Sequence, residues 1–407
     1  MLIISRFKNC FKIPSKIVRT FASQTDDGLL KTPLYDLHLS HGATMVPYAG
    51  YSMPMIYAEQ SHIESHNWVR QSVGIFDVSH MCQHVFSGKY ATKFLEQITP
   101  SDLIELEPSS WKLSALMLRT GGILDDTIIA KLGQDKYYIV TNAACKDKDL
   151  AFLRSSLESL PGSVDHEVLA GWGLISVQGP KAATSLAKLT DENLSDLKFG
   201  RTAFVNFGGN SYFVSRSGYT GEDGFEISLP PAHALSFTEQ LLNRVPDTRL
   251  IGLAARNSLR LEAGLCLYGN DIDETTTPVD ASLRFILGKR RLAEGGFNGF
   301  DTVSKHLEAT ATDQRPHRVG FKLISGPPAR EGAKVFAEDG RTEIGRITSG
   351  CPSPTLGYNI AMGYVSAINN SDKKKLSPGD NVLIEIRGVK RPAKITKMPF
   401  VKPKYYR

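Results

Sequence analysis

The chain has 407 residues, 41% of them hydrophobic and 22% charged, with 48 Lys and Arg against 42 Asp and Glu. A chain of this length buries a large core and divides into two or three domains, and its composition is that of an ordinary globular protein. There is no run of about 18 apolar residues, which excludes a membrane-spanning helix. Phosphate-loop, Gly-x-Gly-x-x-Gly and Gly-x-Ser-x-Gly patterns are also missing, so nucleoside triphosphate, nicotinamide and flavin chemistry and serine hydrolysis have no support.

The excess of positive charge is local. Arg6, Lys8, Lys12, Lys16 and Arg19 all precede the first acid, Asp26, and alternate with Ile3, Phe7, Phe11, Ile13 and Val18. An acid-free basic stretch without an unbroken apolar centre has the composition of a mitochondrial transit peptide, here residues 1–25, with processing expected after Phe21. The remaining chain is nearly neutral, and neither a nucleic acid nor a membrane partner is expected. Cys10 falls in this leader, while Cys82, Cys145, Cys266 and Cys351 are scattered singly, as buried thiols are. His62 and His66 stand four apart, but Glu64 is out of register for a zinc-binding His-Glu-x-x-His helix, so no metal is expected.

In chain order, residues 59–73 read as a helix closed by Gly74, residues 75–81 as a short extended run and residues 91–98 as a second helix. Gly121-Gly122 then opens a strand through Ile123-Leu124-Asp125-Asp126-Thr127-Ile128-Ile129-Ala130. Successive side chains on a strand point to opposite faces. Asp126 therefore goes inward with Ile128 and Ala130, and Asp125 is expected to be solvated with Thr127 and Lys131. A turn at 132–136 leads into a strand over 137–142, and leucines at 150, 153, 157 and 160 mark a helix. Gly218, Gly221 and Gly224 make a sharp reversal, with Glu222 and Asp223 expected in solvent. Glu226 follows within a strand, where an acid needs a partner. A helix over 252–264 sets Arg256 and Arg260 four apart on one face. Lys289-Arg290-Arg291 reads as an exposed positive patch suited to steering an acidic partner. A linker over 310–316 precedes short strands and frequent turns, the texture of a small β-barrel. Strands and helices mixed in this way indicate an α+β fold.

Five stretches carry a more specific signal: Gly121 to Asp126, Gly218-Tyr219-Thr220-Gly221-Glu222-Asp223-Gly224, Leu261 to Asp271, Thr348-Ser349-Gly350-Cys351-Pro352-Ser353-Pro354, and Met398-Pro399-Phe400-Val401. In this order they resemble the aminomethyltransferase family, the T-proteins of the glycine cleavage system. The resemblance implies a three-domain cloverleaf around a central folate cavity. Residues 30–295 would form two interleaved α+β domains and residues 316–400 the C-terminal β-barrel. It implies transfer of an aminomethyl group from the lipoyl arm of H-protein to tetrahydrofolate in the mitochondrial matrix, alongside the P- and L-proteins. The products would be 5,10-methylenetetrahydrofolate, ammonia and dihydrolipoyl H-protein. By motif position, Asp126 is the catalytic carboxylate, Glu226 the acid for the pterin, Arg256 the arginine for a folate carboxylate, and Tyr405 a tail residue folded over the ligand. Tyr138, Val140, Asn142 and Tyr219 would line the cavity. Folate-binding iron–sulfur assembly factors of the same superfamily carry Lys-Gly-Cys-Tyr-x-Gly-Gln-Glu, which the segment Glu262 to Asn270 lacks.

Overall fold

A computed structural model describes residues 28–159, 162–308, 315–366, 368–369 and 374–407. The expected leader and most of the expected linker lie outside the described residues. The fold is mixed α and β, built on two sheets and a closed barrel. The first sheet runs in the order Thr202–Phe207, Asn210–Ser215, Gly224–Leu229, Gly173–Gln178, Val73–Asp77 and Thr248–Leu250, antiparallel except for the last pair. Its central strands are apolar on both faces because both are covered. Ile75, Val177 and Ile227 pack with Phe237 and Leu241 of helix Pro231–Arg244. Phe76 and Leu174 pack with Val69 of helix His62–Gln71 and Leu259 of helix Leu253–Glu262.

The second sheet is inserted between Val73–Asp77 and Gly173–Gln178 of the first. Its order is Ser110–Met117, Ile123–Gly133, Lys136–Thr141, Cys82–Ser87 and Asp165–Val168. Phe86, Ile129 and Ile139 pack against Phe94, Leu95 and Leu153 of helices Ala91–Ile98 and Lys146–Glu158. Val85, Ala130 and Tyr138, on the opposite face, meet Trp172 and Phe213 from the first sheet and its approach. An insertion thus turns one face of each sheet toward the other. The barrel closes in the order Pro316–Leu323, Asn359–Ser366, Glu343–Pro352, Lys334–Phe336, Asn381–Ile386 and Val389–Thr396, around Phe321, Val335, Ile347 and Ile384. Among the described residues no helix is long and apolar enough to cross a membrane.

Two expectations fail for identifiable reasons. Helix His62–Gln71 begins at Ser61, whose side chain and that of Glu64 form a capping box, and it ends before Gly74. Gly74 lies inside a strand, where a Cβ would come 2.5 Å from Ile251 Cγ1, so it serves close packing and not a helix stop. The basic run is not a free positive patch. Arg290 donates Nε to Asp102 Oδ2 (3.0 Å) and Nη1 to Glu294 Oε2 (2.6 Å), and Arg291 is buried with Nη2 on the Glu96 carbonyl (2.8 Å). Only Lys289 of the three is exposed.

The barrel is tied to the first sheet through Glu262, the last residue of its helix and fully buried. Oε2 accepts from Arg70 Nη2 (2.7 Å) and Thr355 Oγ1 (2.6 Å) and lies 3.1 Å from His66 Nε2. Oε1 accepts from Ser353 Oγ (2.5 Å) and the Thr355 amide (3.1 Å). The Glu262 carbonyl takes the amides of Phe400 and Val401 at 2.9 and 3.0 Å. Burial by itself raises the Glu262 carboxyl, but His66, Ser353 and Thr355 outweigh it and hold it at about 2. A depressed folded value contributes stability above the unfolded value that is lost as pH falls toward 2. Glu262→Ala should therefore cost about 3–5 kcal/mol at neutral pH, because Arg70 and His66 lose their buried acceptor. The deficit, read from urea midpoints, should narrow below about pH 4; a deficit constant down to pH 2 would contradict the assignment.

Candidate active site

The strand carrying the two aspartates starts beneath a long loop, and glycine makes that approach possible. A Cβ on Gly122 would sit 1.7 Å from the Glu274 carbonyl, and the Ile123 amide bonds the Thr276 carbonyl at 3.0 Å. Past this point alternation sends Asp126, Ile128 and Ala130 toward the first sheet, where Val140 and Tyr138 are the cross-strand neighbours of Ile128 and Ala130. Tyr138 packs on Phe213, with ring centres 4.7 Å apart, and donates its hydroxyl to Gln83 Oε1 at 2.7 Å.

Asp125 is not solvated. It is completely buried on the helix-covered face, because this sheet has no open side. Its Oδ2 accepts the Asn142 amide at 2.8 Å and its Oδ1 accepts Asn142 Nδ2 at 2.9 Å. The same Nδ2 donates to Asp126 Oδ1 at 2.8 Å, so Asn142 spans both carboxylates. Asp126 keeps some accessible surface while enclosed by protein. Burial, then the charge of Asp125, raises its carboxyl to about 7 against the Asn142 bond.

The remaining candidates arrive from other elements. Glu226, in Gly224–Leu229, accepts Ser217 Oγ at 2.7 Å on Oε2; burial raises its carboxyl, while Ser217 and the Arg256 charge oppose the rise. Arg256, on helix Leu253–Glu262, lies over the Tyr219 ring at 4.7 Å. Tyr219 donates its hydroxyl to the Cys266 carbonyl and feels the charges of Arg260, Asp126 and Arg256, though burial is the larger influence raising it. Asp126, Asn142, Tyr138, Val140, Glu226, Arg256 and Tyr219 are thus brought to one region between the two sheets. Tyr405 stands at its margin. It stacks on Phe199 at 3.9 Å with 12° between rings and feels the charges of Arg407, Arg70 and Glu222, while the Lys404 amide bonds the Gly221 carbonyl at 2.8 Å. The tail therefore rests on the same turn that carries Tyr219. A surface groove of about 960 Å³ beside helix Ala91–Ile98, lined by Lys93, Glu96, Lys131 and Arg291, shares no residue with this cluster.

The turn itself is buried. Glu222, 1% exposed, pairs with Arg70 Nη1 at 3.0 Å, and Asp223 grips Arg216 through Nε (2.9 Å) and Nη2. Both acids were expected in solvent, but the tail and helix His62–Gln71 cover them. Arg260 does not join Arg256 at the site: it is buried toward the barrel, on Asp271 Oδ2 (2.6 Å) and Ser349 Oγ (2.9 Å). His66 of the spaced histidine pair serves the Glu262 cluster and bonds Ser258 Oγ at 2.7 Å.

Two site residues escaped sequence reasoning. His80 is buried, edge-on to Tyr48 and Tyr51, and burial with the nearby Arg256 charge lowers it to about 4, so its ring is neutral. Its position depends on the hairpin Ala43–Tyr48/Tyr51–Tyr57 folding over it, which no local pattern announces. Asp149 lies fully buried against Asp125, in the first turn of a helix that begins four residues before the leucines that marked it.

Comparison with known proteins matches residues 34–291 to the GCVT N-terminal domain and residues 317–402 to the glycine cleavage T-protein C-terminal barrel domain. The probable mitochondrial aminomethyltransferase of Schizosaccharomyces pombe is 48% identical over 396 residues, covering 97% of this chain and 98% of that protein. The mitochondrial aminomethyltransferases of Saccharomyces cerevisiae and Solanum tuberosum are each 44% identical, over 93% and 96% of this chain and 96% and 93% of theirs. The crystal structure of the glycine cleavage system aminomethyltransferase T from Bartonella henselae superposes with a TM-score of 0.84 at 34% identity, covering 95% of this chain and all of that one. Both halves of the sequence and the arrangement of sheets and barrel agree, and the chain belongs to the aminomethyltransferase, or T-protein, family of the glycine cleavage system.

Proposed function

We propose that the chain takes an aminomethyl group from the lipoyl arm of H-protein and transfers its carbon to tetrahydrofolate. The products are 5,10-methylenetetrahydrofolate, ammonia and dihydrolipoyl H-protein. The carbon leaves sulfur and nitrogen and joins N5 and N10; the two protons those nitrogens release end on ammonia and on the lipoyl sulfur. This reaction would have the protein work with H-protein and the P- and L-proteins in the mitochondrial matrix; the names of its relatives support the mitochondrion.

The observation that carries this reading is Asp126, a carboxylate raised to about 7 on an enclosed face shared with Glu226, Arg256 and Tyr219. Perturbed acids gathered in one enclosed place mark a functional site. The donor set fits a reduced folate. Glu226 accepts from a ring N–H and the adjacent amino group together. Arg256 pairs in two-point fashion with a glutamyl carboxylate of the ligand. Tyr138, Val140, Asn142 and Tyr219 wall the pterin, and Tyr405 closes the tail over it. The folate supplies the nucleophile, its N5, so the protein need only position it and stabilise charge. Ionised Asp126 offsets the positive charge that develops as ammonia departs and accepts a proton as the second C–N bond forms. His80, kept neutral, adds no opposing charge.

Two expectations test this. With aminomethyl-loaded H-protein and tetrahydrofolate, methylenetetrahydrofolate should accumulate, with kcat/KM rising through about pH 7 as Asp126 ionises. Asp126→Asn should lower kcat about 10²–10⁴-fold while folate affinity changes little. No turnover by the unaltered chain would sink the reading.

The same carboxyl predicts a stability change of defined sign. A raised folded value means a contribution that is full below the unfolded value of about 4 and lost as pH rises through about 7. Asp126→Asn should thus stabilise the folate-free protein by on the order of 4 kcal/mol at pH 8 and by nothing near pH 3.5. Equal melting temperatures at pH 8 would contradict it.

A further inference from the structure

Beneath the site lies a second carboxylate pair. Asp149, near the start of helix Lys146–Glu158, is fully buried against Asp125, also fully buried. Neither Asp149 oxygen makes a well-formed hydrogen bond among the described residues; the carboxyl faces that of Asp125, with the Thr141 hydroxyl also close by. Two ionised carboxylates do not share a buried contact, whereas one proton between them makes a hydrogen bond. Burial raises the Asp125 carboxyl as well, but Asp125 takes two donors from Asn142 and lies beside the Cys145 thiol, which makes it the acceptor of the pair. The proton therefore belongs on Asp149.

We propose that Asp149 is a positioning residue: kept protonated, it donates to Asp125, which holds Asn142 so that Nδ2 fixes Asp126 Oδ1 and leaves Asp126 Oδ2 for the reacting atoms. The chain of contacts is continuous. Asn142 Nδ2 reaches Asp125 Oδ1 at 2.9 Å, Asp126 Oδ1 at 2.8 Å and the Asp126 carbonyl at 3.2 Å, and it has one hydrogen for each carboxylate. The proton of Asp149 keeps Asp125 the only full charge in that layer, and the charge of Asp125 in turn raises Asp126.

The charged and titratable groups facing Asp149 are accounted for. Asp125 comes from strand Ile123–Gly133, Cys145 and Lys148 from its own turn and helix, and Cys82 from Cys82–Ser87. Lys148 is turned away, onto Tyr268 and Glu274, and the thiols of Cys82 and Cys145 are both raised by burial and stay neutral. His84, near Lys146, is lowered to about 3 and is neutral too. Burial and the Asp125 charge raise Asp149 against the opposing influence of Thr141 and Lys148, so the shared proton is held through neutral pH and lost on the alkaline side. That loss puts a second charge against Asp125 and frees Asn142.

This inference rests on the role given to Asp126, and the experiment separates the two. In Asp149→Asn the amide can still donate to Asp125; in Asp149→Leu nothing can. Asp149→Asn should retain kcat within about threefold and lose the alkaline fall of the pH profile. Asp149→Leu should lose roughly ten- to a hundredfold in kcat, with KM for tetrahydrofolate nearly unchanged, the equivalent of one hydrogen bond to a charged group. A structural role alone would make the two variants lose activity alike and leave the alkaline limb in Asp149→Asn; that result would overturn the proposal. Infrared spectra give a readout free of turnover. An Asp126→Asn protein at pH 7 should show the carbonyl stretch of a buried protonated carboxyl that vanishes on adding Asp149→Asn, and an unchanged spectrum would also overturn it. Should the Asp149→Leu variant fail to fold, the pH profile of Asp149→Asn and this spectrum still decide.

Discussion

Five donor groups converge on the side chain of Glu262, and the rest of the molecule is arranged on that convergence. A buried carboxylate is stable only when its lone pairs are occupied. Here the occupants come from helix His62–Gln71 and from the Ser353–Thr355 segment after barrel strand Glu343–Pro352, and the backbone of the same residue holds the tail at Phe400 and Val401. The helix that ends at Glu262 also carries Arg256, less than two turns earlier. Docking the barrel therefore fixes the helix, and the helix fixes Arg256. Arg70 extends the network to Glu222, in the turn that positions Tyr219 and receives Lys404 of the tail.

The buried acids fall into two groups with opposite electrostatics. Glu262 and Asp77 are both held near 2: Asp77 accepts Thr32 Oγ1 at 2.6 Å and the Ser79 amide at 2.9 Å and lies 2.9 Å from His38 Nε2. Burial would raise each, and donors more than compensate. Asp125, Asp126, Glu226 and Asp149 are raised because burial outweighs their donors, with the charge of Asp125 adding to the rise of Asp126 and Asp149. Acids of the first kind anchor elements to one another. Those of the second kind are costly to keep in a folded chain, and Asp126 and Asp149 cluster on two sides of one sheet around Asn142 and Asp125. That segregation is what a site needs when a carboxylate must change its protonation near neutral pH.

Insertion of one sheet into the connection of the other explains where this cluster lies. The crossing from Asp77 to Cys82 and the return from Val168 to Gly173 bring the two sheets face to face, so Asp126 and Glu226, from different sheets, look into the same enclosed region. Neither sheet by itself supplies both acids.

Much of this was legible in the sequence, and the limit has a physical reason. The two-residue period of a strand separated Asp125 from Asp126 and set Asp126 on the same face as Ile128 and Ala130, because alternation is a property of the backbone. Helix Ala91–Ile98 and the change to barrel texture near Pro316 followed from equally local periodicities, and five spaced motifs carried the family. Alternation reports which residues share a face but not what covers it. Solvent was expected around Asp125, Glu222, Asp223 and Arg290, and in the fold a helix, the tail, Arg70, Arg216, Glu96 and Asp102 stand there instead. His80 and Asp149 gained their surroundings in the same way, from a hairpin and a strand distant in the chain. Burial and charge pairing are set by such long-range contacts, so the protonation states on which the chemistry depends were decided by the tertiary structure, while the positions that carry them were written in the sequence.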